Sequence, residues 1–131
     1  MPGKSQSHTD ATLNVLRGTD LTGVAPYVGL FSVAPADDNS AGTELVGNGY
    51  ARQAITFGAP ATDAGNVRKV ANTNNIQFGP ALANWSQAVA FGVFASLAGA
   101  LLYWDVLPTP KTVQQDDFGQ FGVGTLVVKE D

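Results

Sequence analysis

From residue 25 onward the sequence is a series of short β-prone stretches. Each is cut off by Gly, Pro, Asn or Asp before it reaches helical length. Residues 27–33 form a compact apolar run closed by Pro35, and the polar loop 36–42 follows. Residues 50–57 alternate, with Ala51, Gln53, Ile55 and Phe57 on one face and Tyr50, Arg52, Ala54 and Thr56 on the other. That period of two marks a strand. Residues 88–95 are almost wholly apolar, which suits a central strand covered on both faces. Residues 101–107 return after the turn Ser96-Leu97-Ala98-Gly99, so these two runs are the clearest hairpin, and Pro108-Thr109-Pro110 is expected to end it. Shorter runs at 67–70 (an expected edge strand), 74–78, 111–114, 120–123 and 125–129 bring the total to about eight strands, the spacing of a sandwich or barrel.

One helix is expected, over residues 7–17. Ser7 with Asp10 imitates a capping box, and Gly18 stands at the C-cap. Its apolar face (Ala11, Leu13, Val15, Leu16) is narrow and the helix is short, so it must dock on its own sheet or on a neighbouring subunit. The expected organisation is an N-terminal arm over 1–6, extended and dispensable for folding, and a single mainly β domain over 7–131: a β-sandwich or jelly-roll-like fold with a short N-terminal helix. Leu30, Ile55, Phe57, Phe78, Val89, Phe91, Val93, Leu102, Val106 and Val127 are the expected core.

A chain of 131 residues suits one domain. It has no cysteine, which excludes a disulfide scaffold and thiolate zinc sites. The net charge is −4, and the seven basic residues are scattered, with only Arg68 and Lys69 adjacent. Nucleic-acid binding needs basic clusters, so nucleic acid is not an expected partner. Nor is a membrane, since the longest apolar run, 88–103, is broken by Gly92, Ser96 and Gly99. The start of the chain lacks the apolar stretch of a secretory leader. Charged residues make up only 14% of the chain, and a surface so low in charge is easily covered by other protein.

Reactive chemistry is sparse. His8 is the single histidine and has no nucleophile or ligand pattern around it, so it reads as a solvated residue at the helix start. The acid pairs Asp37-Asp38 and Asp116-Asp117 admit three readings: solvated turns, calcium ligands, or the carboxylates of a small glycosidase or depolymerase. Adjacent acids in a strand point to opposite faces, which favours the first. Gly47-x-Gly49 is a turn signal without a following helix. No cofactor is expected. What stands out is 42–57, which gathers Glu44, Tyr50, Arg52 and Gln53. Glu44 and Arg52 can pair across a hairpin, and Tyr50 and Arg52 are residue types favoured at interface centres. Trp85 and Trp104 are candidates for core or interface packing, or for stacking on sugars. Candidate interface residues are therefore Glu44, Tyr50, Arg52, Trp85 and Trp104.

Several pieces of the chain together resemble a family of small tailed-bacteriophage virion proteins. They are Tyr27-Val28-Gly29-Leu30-Phe31 with Ala34-Pro35, Gly42-Thr43-Glu44, and Gly49-Tyr50-Ala51-Arg52-Gln53 ending in Thr56-Phe57. Ile76-Gln77-Phe78 before Trp85, Gly92-Val93-Phe94, Leu101-Leu102-Tyr103-Trp104 and Thr109-Pro110-Lys111-Thr112-Val113 complete the set. Members of the family are known as phage tail fibre proteins and, in some phages, act as capsid cement. The resemblance implies a β-sandwich virion component in a symmetric oligomer, with no catalytic residues to carry over. The expected function is a capsid cement or decoration subunit, a homotrimer on the capsid surface that bridges copies of the major capsid protein. The alternative is a tail fibre or baseplate component with receptor or glycan binding. The chain departs from the family pattern at Asp116-Asp117-Phe118-Gly119-Gln120-Phe121 and before Tyr27, the segments that would set how it attaches.

Overall fold

The computed structural model describes residues 3–21, 23–36 and 42–130. In chain order these form β1 (Gly3–Lys4), α1 (Gln6–Asn14), β2 (Tyr27–Val33), β3 (Thr43–Glu44), β4 (Gln53–Ala54), β5 (Ala61–Thr62), β6 (Arg68–Ala71), β7 (Ile76–Phe78), β8 (Ala88–Phe94), β9 (Leu101–Lys111), β10 (Gly119–Phe121) and β11 (Val127–Glu130). The largest sheet has the order β1-β9-β8-β2-β3, with β4 also pairing β2. A second sheet has the order β11-β6-β5, and β10 pairs β7 in a third. The ladders are antiparallel. The fold is the expected mainly β, sandwich-like one, and the three sheets share one core that includes Leu30, Phe91, Ile76, Phe78, Phe121 and Val128.

The expected hairpin is the spine of the molecule. β8 lies between β2 and β9, and its turn closes with Ala95 N–H donating to Ala100 C=O at 3.0 Å. β8 is apolar throughout because both its faces are in use. Phe91 and Val93 enter the main core, while Ala90 and Phe94 join Phe31 in a smaller cluster on the opposite face. On that second face Gly29 and Gly92 stand directly opposite each other. A Cβ at Gly29 would lie 2.7 Å from Glu44 Oε2, and one at Gly92 would lie 2.7 Å from both Phe31 and Leu101. These glycines are bare so that other side chains can lie across the sheet.

Several expectations are corrected. Pro108-Thr109-Pro110 does not end β9, which runs on to Lys111. Between the pairs Ala90↔Val106 and Ala88↔Lys111 the register shifts, so the prolines occupy a bulge whose N–H groups the ladder does not need. Thr112 to Gln114 do not form the separate strand expected there. The strand expected over 50–57 is paired only at Gln53–Ala54 and through the bridge Phe57↔Asn72. Of the expected core, Leu30, Ile55, Phe78, Phe91 and Val93 are buried. Phe57, Val89, Leu102 and Val127 are only half-buried, and Val106 is 50% exposed. Val106 stands opposite Ala90 and so belongs to the second face, away from the shared core.

The N-terminus differs most. Residues 3–5 are held by their own sheet: Gly3 and Lys4 pair with Trp104 and Tyr103, and Ser5 N–H donates to Leu102 C=O at 2.9 Å. Lys4 Nζ lies 2.7 Å from Glu130 Oε1. The cap lies two residues earlier than expected, because Ser5, not Ser7, is the N-cap; the Ser5 hydroxyl accepts from His8 N–H at 3.2 Å. Gly18 closes the following 3-10 turn with φ 89°, as expected of a C-cap. Ser5→Ala therefore lowers stability by about 1 kcal/mol, and removing residues 1–6 costs more, since the strand pairing goes too. Urea unfolding monitored by circular dichroism reads both, and an unchanged midpoint for the deletion would restore the free arm.

The β11-β6-β5 sheet is pinned by Asp63, which pairs with Lys129 at 2.8 Å and Lys69 at 3.5 Å. The hydrogen bond from Lys129, then the Ala64 N–H, holds the Asp63 carboxyl down at about 2, against about 3.9 for an ordinary aspartate. The unfolded chain binds the proton first on acidification. Stability from Asp63 is therefore complete above about pH 4 and lost as pH falls toward 2. Asp63→Asn flattens the stability difference between pH 5 and pH 3, measured by urea titration.

Candidate functional site

The residues singled out in 42–57 come together at one edge of the large sheet. β3 and β4 both pair with the same edge of β2, β3 near its C-terminal end and β4 near its N-terminal end. The chain between them must leave the sheet and return. Gly47, Asn48 and Gly49 make that excursion, all with positive φ, the conformation that Gly and Asn adopt most readily. The excursion leaves Leu30, which pairs with Phe91 on its β8 side, without a strand neighbour on this edge. Leu45 N–H takes its carbonyl at 2.9 Å, and the Tyr50 hydroxyl accepts its N–H at 2.9 Å. A side chain thus stands where a strand backbone would.

From there the contacts form a chain. The Tyr50 hydroxyl donates to Glu44 Oε2 at 2.7 Å. Arg52 grips the same carboxylate with two donors, Nε to Oε2 at 3.0 Å and Nη2 to Oε1 at 2.9 Å. Its Nη1 reaches the β8–β9 turn and donates to Leu97 C=O at 3.0 Å and Gly99 C=O at 3.3 Å. The guanidinium lies 3.4 Å from the centre of the Phe94 ring. Arg52 therefore spans the second face of the sheet, from the edge at β3 to the hairpin turn. The planar guanidinium suits this task, because it bonds in its plane and stacks on its face. Burial, reinforced by the Glu44 carboxylate, pushes the Tyr50 hydroxyl well above the usual tyrosine range, so it stays protonated and donating.

Trp85 belongs to the same assembly. It is 7% exposed, its ring meets Tyr50 edge-on at 5.7 Å, and its Nε1 donates to Asn48 C=O at 2.8 Å. Tyr50 also stacks on Phe78 at 5.9 Å. A tryptophan so enclosed is closed to a sugar, which corrects that reading for Trp85. Trp104 stands apart, half-buried on β9, where its indole lies against Gly3 so closely that a Cβ there would overlap it. The sequence linked Glu44, Arg52 and Tyr50. It did not reveal Phe94, Gly29 or the Leu97 and Gly99 carbonyls as their partners, because those lie on other strands. The one local signal was a glycine inside the apolar run 27–33.

A shallow hollow of about 410 Å³ opens beside this cluster, with Phe31, Phe94 and Leu101 in its lining and Ser7, Glu44 and Arg52 alongside. Its charged groups are already engaged with one another, so it offers apolar surface rather than unmet polar groups. The cluster is a clasp that closes the loop 45–52 and the hairpin turn onto the sheet.

Residues 3–129, nearly the whole chain, match the family described as podophage GP4 fiber I protein gp80. The chain belongs to this family. No curated protein matches it. As a gp80-family member it is a structural protein of the phage virion, which agrees with the resemblance read from the sequence. The family description names a fibre, so it supports the tail-fibre alternative better than the capsid expectation. The remaining candidates of the gp80-family chain fall outside the clasp. Asp116 and Asp117 are exposed turn residues, Asp116 with φ 68°, and Asp37 and Asp38 lie outside the described residues. His8 is half-buried, edge-on to Tyr103 at 5.0 Å, and burial with nearby Lys4 keeps its pKa below the usual value. Among the described residues no helix is long and apolar enough to cross a membrane, and no group of three or more His, Asp and Glu is placed to hold a metal ion.

Proposed function

We propose that this gp80-family chain is a building block of the phage fibre apparatus, acting through binding surface and without turnover of a substrate. The observation that carries the reading is the family match over residues 3–129 to a fibre protein. The clasp supports it: its charged and aromatic groups, which would have been the natural catalytic or ligand-binding set, are spent on holding the sheet and hairpin together. Glu44, Tyr50, Arg52 and Trp85 enter assembly indirectly, by fixing the body that presents the surface, and Trp104 does so by seating the N-terminal strand. The partner in this reading is a further copy of the chain, with a homotrimer as the expected stoichiometry. Immunogold labelling of intact virions tests it. Label at the tail fibres is the expected result. Label over the head would return the protein to the capsid role, bound to the major capsid protein, and absence from the particle would defeat both.

A further inference from the structure

The chain contains one Asn-Gly pair, Asn48-Gly49, and it sits at the tip of the loop that the clasp closes. Asparagine is chemically labile, and a glycine after it leaves the backbone nitrogen unshielded, free to attack the side-chain amide. The architecture dictates this pair. Tyr50 N–H donates to Gly47 C=O at 3.0 Å, and Asn48 and Gly49 have φ of 55° and 85°. Positive φ at both central residues makes a type I′ turn, for which Asn-Gly is a favoured pair. A side chain at Gly49 is excluded as well, because a Cβ there would lie 2.6 Å from the Pro80 carbonyl oxygen. The same turn holds the reaction off. Its first central residue has ψ of about +30°, which puts the Gly49 nitrogen across the Cα–C bond from the Asn48 side chain. Ring closure needs the two on the same side, so the peptide plane between Asn48 and Gly49 must swing over. That plane is held, because Asn48 C=O accepts from Leu82 N–H at 2.8 Å and from Trp85 Nε1 at 2.8 Å. Asn48 itself is exposed, so water has access to it.

We propose that Asn48 is a conformationally gated deamidation site, inert while the loop 45–52 is seated and converted when the loop opens. In the open loop the Gly49 nitrogen, its proton lost to hydroxide, bonds to Asn48 Cγ. The Cγ–Nδ2 bond breaks, and ammonia leaves with a proton taken from water. Water then opens the cyclic imide at either carbonyl. One product is aspartate; the other is an isoaspartyl link that runs the backbone through the side chain. That link lengthens the main chain by one carbon. The carbonyl that met Leu82 and Trp85 becomes a free carboxylate off the main chain, so the lengthened loop no longer matches its seat. A transient opening of the clasp loop is thereby recorded as a permanent one. The site follows from the turn and its two donors, and it stands whether or not the protein is part of a fibre.

The full chain, held in warm, mildly alkaline buffer with and without urea, provides the test, with isoaspartate located by peptide mapping and mass spectrometry. Conversion at Asn48 is expected in urea, and the native rate is expected to be lower by about tenfold or more, since only the open fraction reacts. Trp85→Phe keeps a ring in the core and removes one donor to Asn48, so it is expected to raise the native rate severalfold. Equal rates with and without urea would overturn the gate, and so would a folded Trp85→Phe chain that converts no faster than the parent. The urea comparison needs no variant and decides the matter by itself if Trp85→Phe does not fold. The isoaspartyl chain, separated by its extra negative charge and refolded, is expected to be cut by protease within 45–52 faster than the parent. Equal resistance would contradict the permanent opening.

Discussion

Replacing Arg52 with alanine lowers the unfolding free energy by about 3 kcal/mol, read from urea denaturation. The size follows from what one side chain holds. Arg52 makes two bonds to the Glu44 carboxylate, bonds two turn carbonyls 45 and 47 residues away, and lies over Phe94. Removing one partner of a buried ion pair typically costs about 3–5 kcal/mol, because the other charge is left without compensation. Here the side chains are 20% and 24% exposed, so water partly screens the orphaned Glu44 and the lower end of that range applies. Arg52→Lys recovers little of the loss, with an expected cost of about 2 kcal/mol, since a lysine lacks the planar fork that reaches carboxylate and turn together. A lysine variant as stable as the parent would show that the charge alone matters, and the clasp would lose its geometric basis.

The second large effect is at Asn72. It is 1% exposed and sits beyond the end of β6. Its amide donates to Asn74 C=O at 2.7 Å and Gly122 C=O at 3.0 Å, and its Oδ1 accepts Leu126 N–H at 2.9 Å. The Asn72 backbone adds two bonds to the same turn, N–H to Leu126 C=O and C=O from Gly124 N–H. A single side chain thus ties the end of the small sheet to the turn that leads into β11. Asn72→Ala is expected to cost about 3 kcal/mol, mostly because the buried Leu126 N–H is left without an acceptor. Asn72→Asp is no rescue: it keeps the acceptor and puts a carboxylate where two carbonyls need a donor. Thermal unfolding by calorimetry distinguishes the outcomes, and an aspartate variant with the parent's melting temperature would contradict this role.

What was legible in the sequence was whatever depends on neighbours along the chain. The β8–β9 hairpin was readable because an apolar run, a turn and a second run follow each other directly. The core positions Leu30, Phe78, Phe91 and Val93 were readable because strand period and hydrophobicity agree there. The pairing of Glu44 with Arg52 was readable from proximity in sequence and opposite charge. What was hidden depends on distant partners. Pro108 and Pro110 look like strand breakers until the register shift against Ala88 and Ala90 removes the need for their missing donors. Ser7 looks a better cap than Ser5 until β1 docks on β9 and sets where the helix starts. Asn72 gives no signal at all, since its worth lies in carbonyls and an amide 50 and 54 residues further on as well as its local bond to Asn74. Val106 was misplaced because hydrophobicity alone does not say which face of a sheet is enclosed.

The run Gly49-Tyr50-Ala51-Arg52 thus reads as architecture, with Gly29 left bare beneath it so that Glu44 and Tyr50 can close over the sheet. A double-mutant cycle on Glu44→Gln and Arg52→Ala in the purified chain puts that claim to its most direct measurement. The clasp predicts a coupling energy of about 2 kcal/mol between the two positions. Strictly additive losses, with each variant destabilising independently of the other, would contradict it.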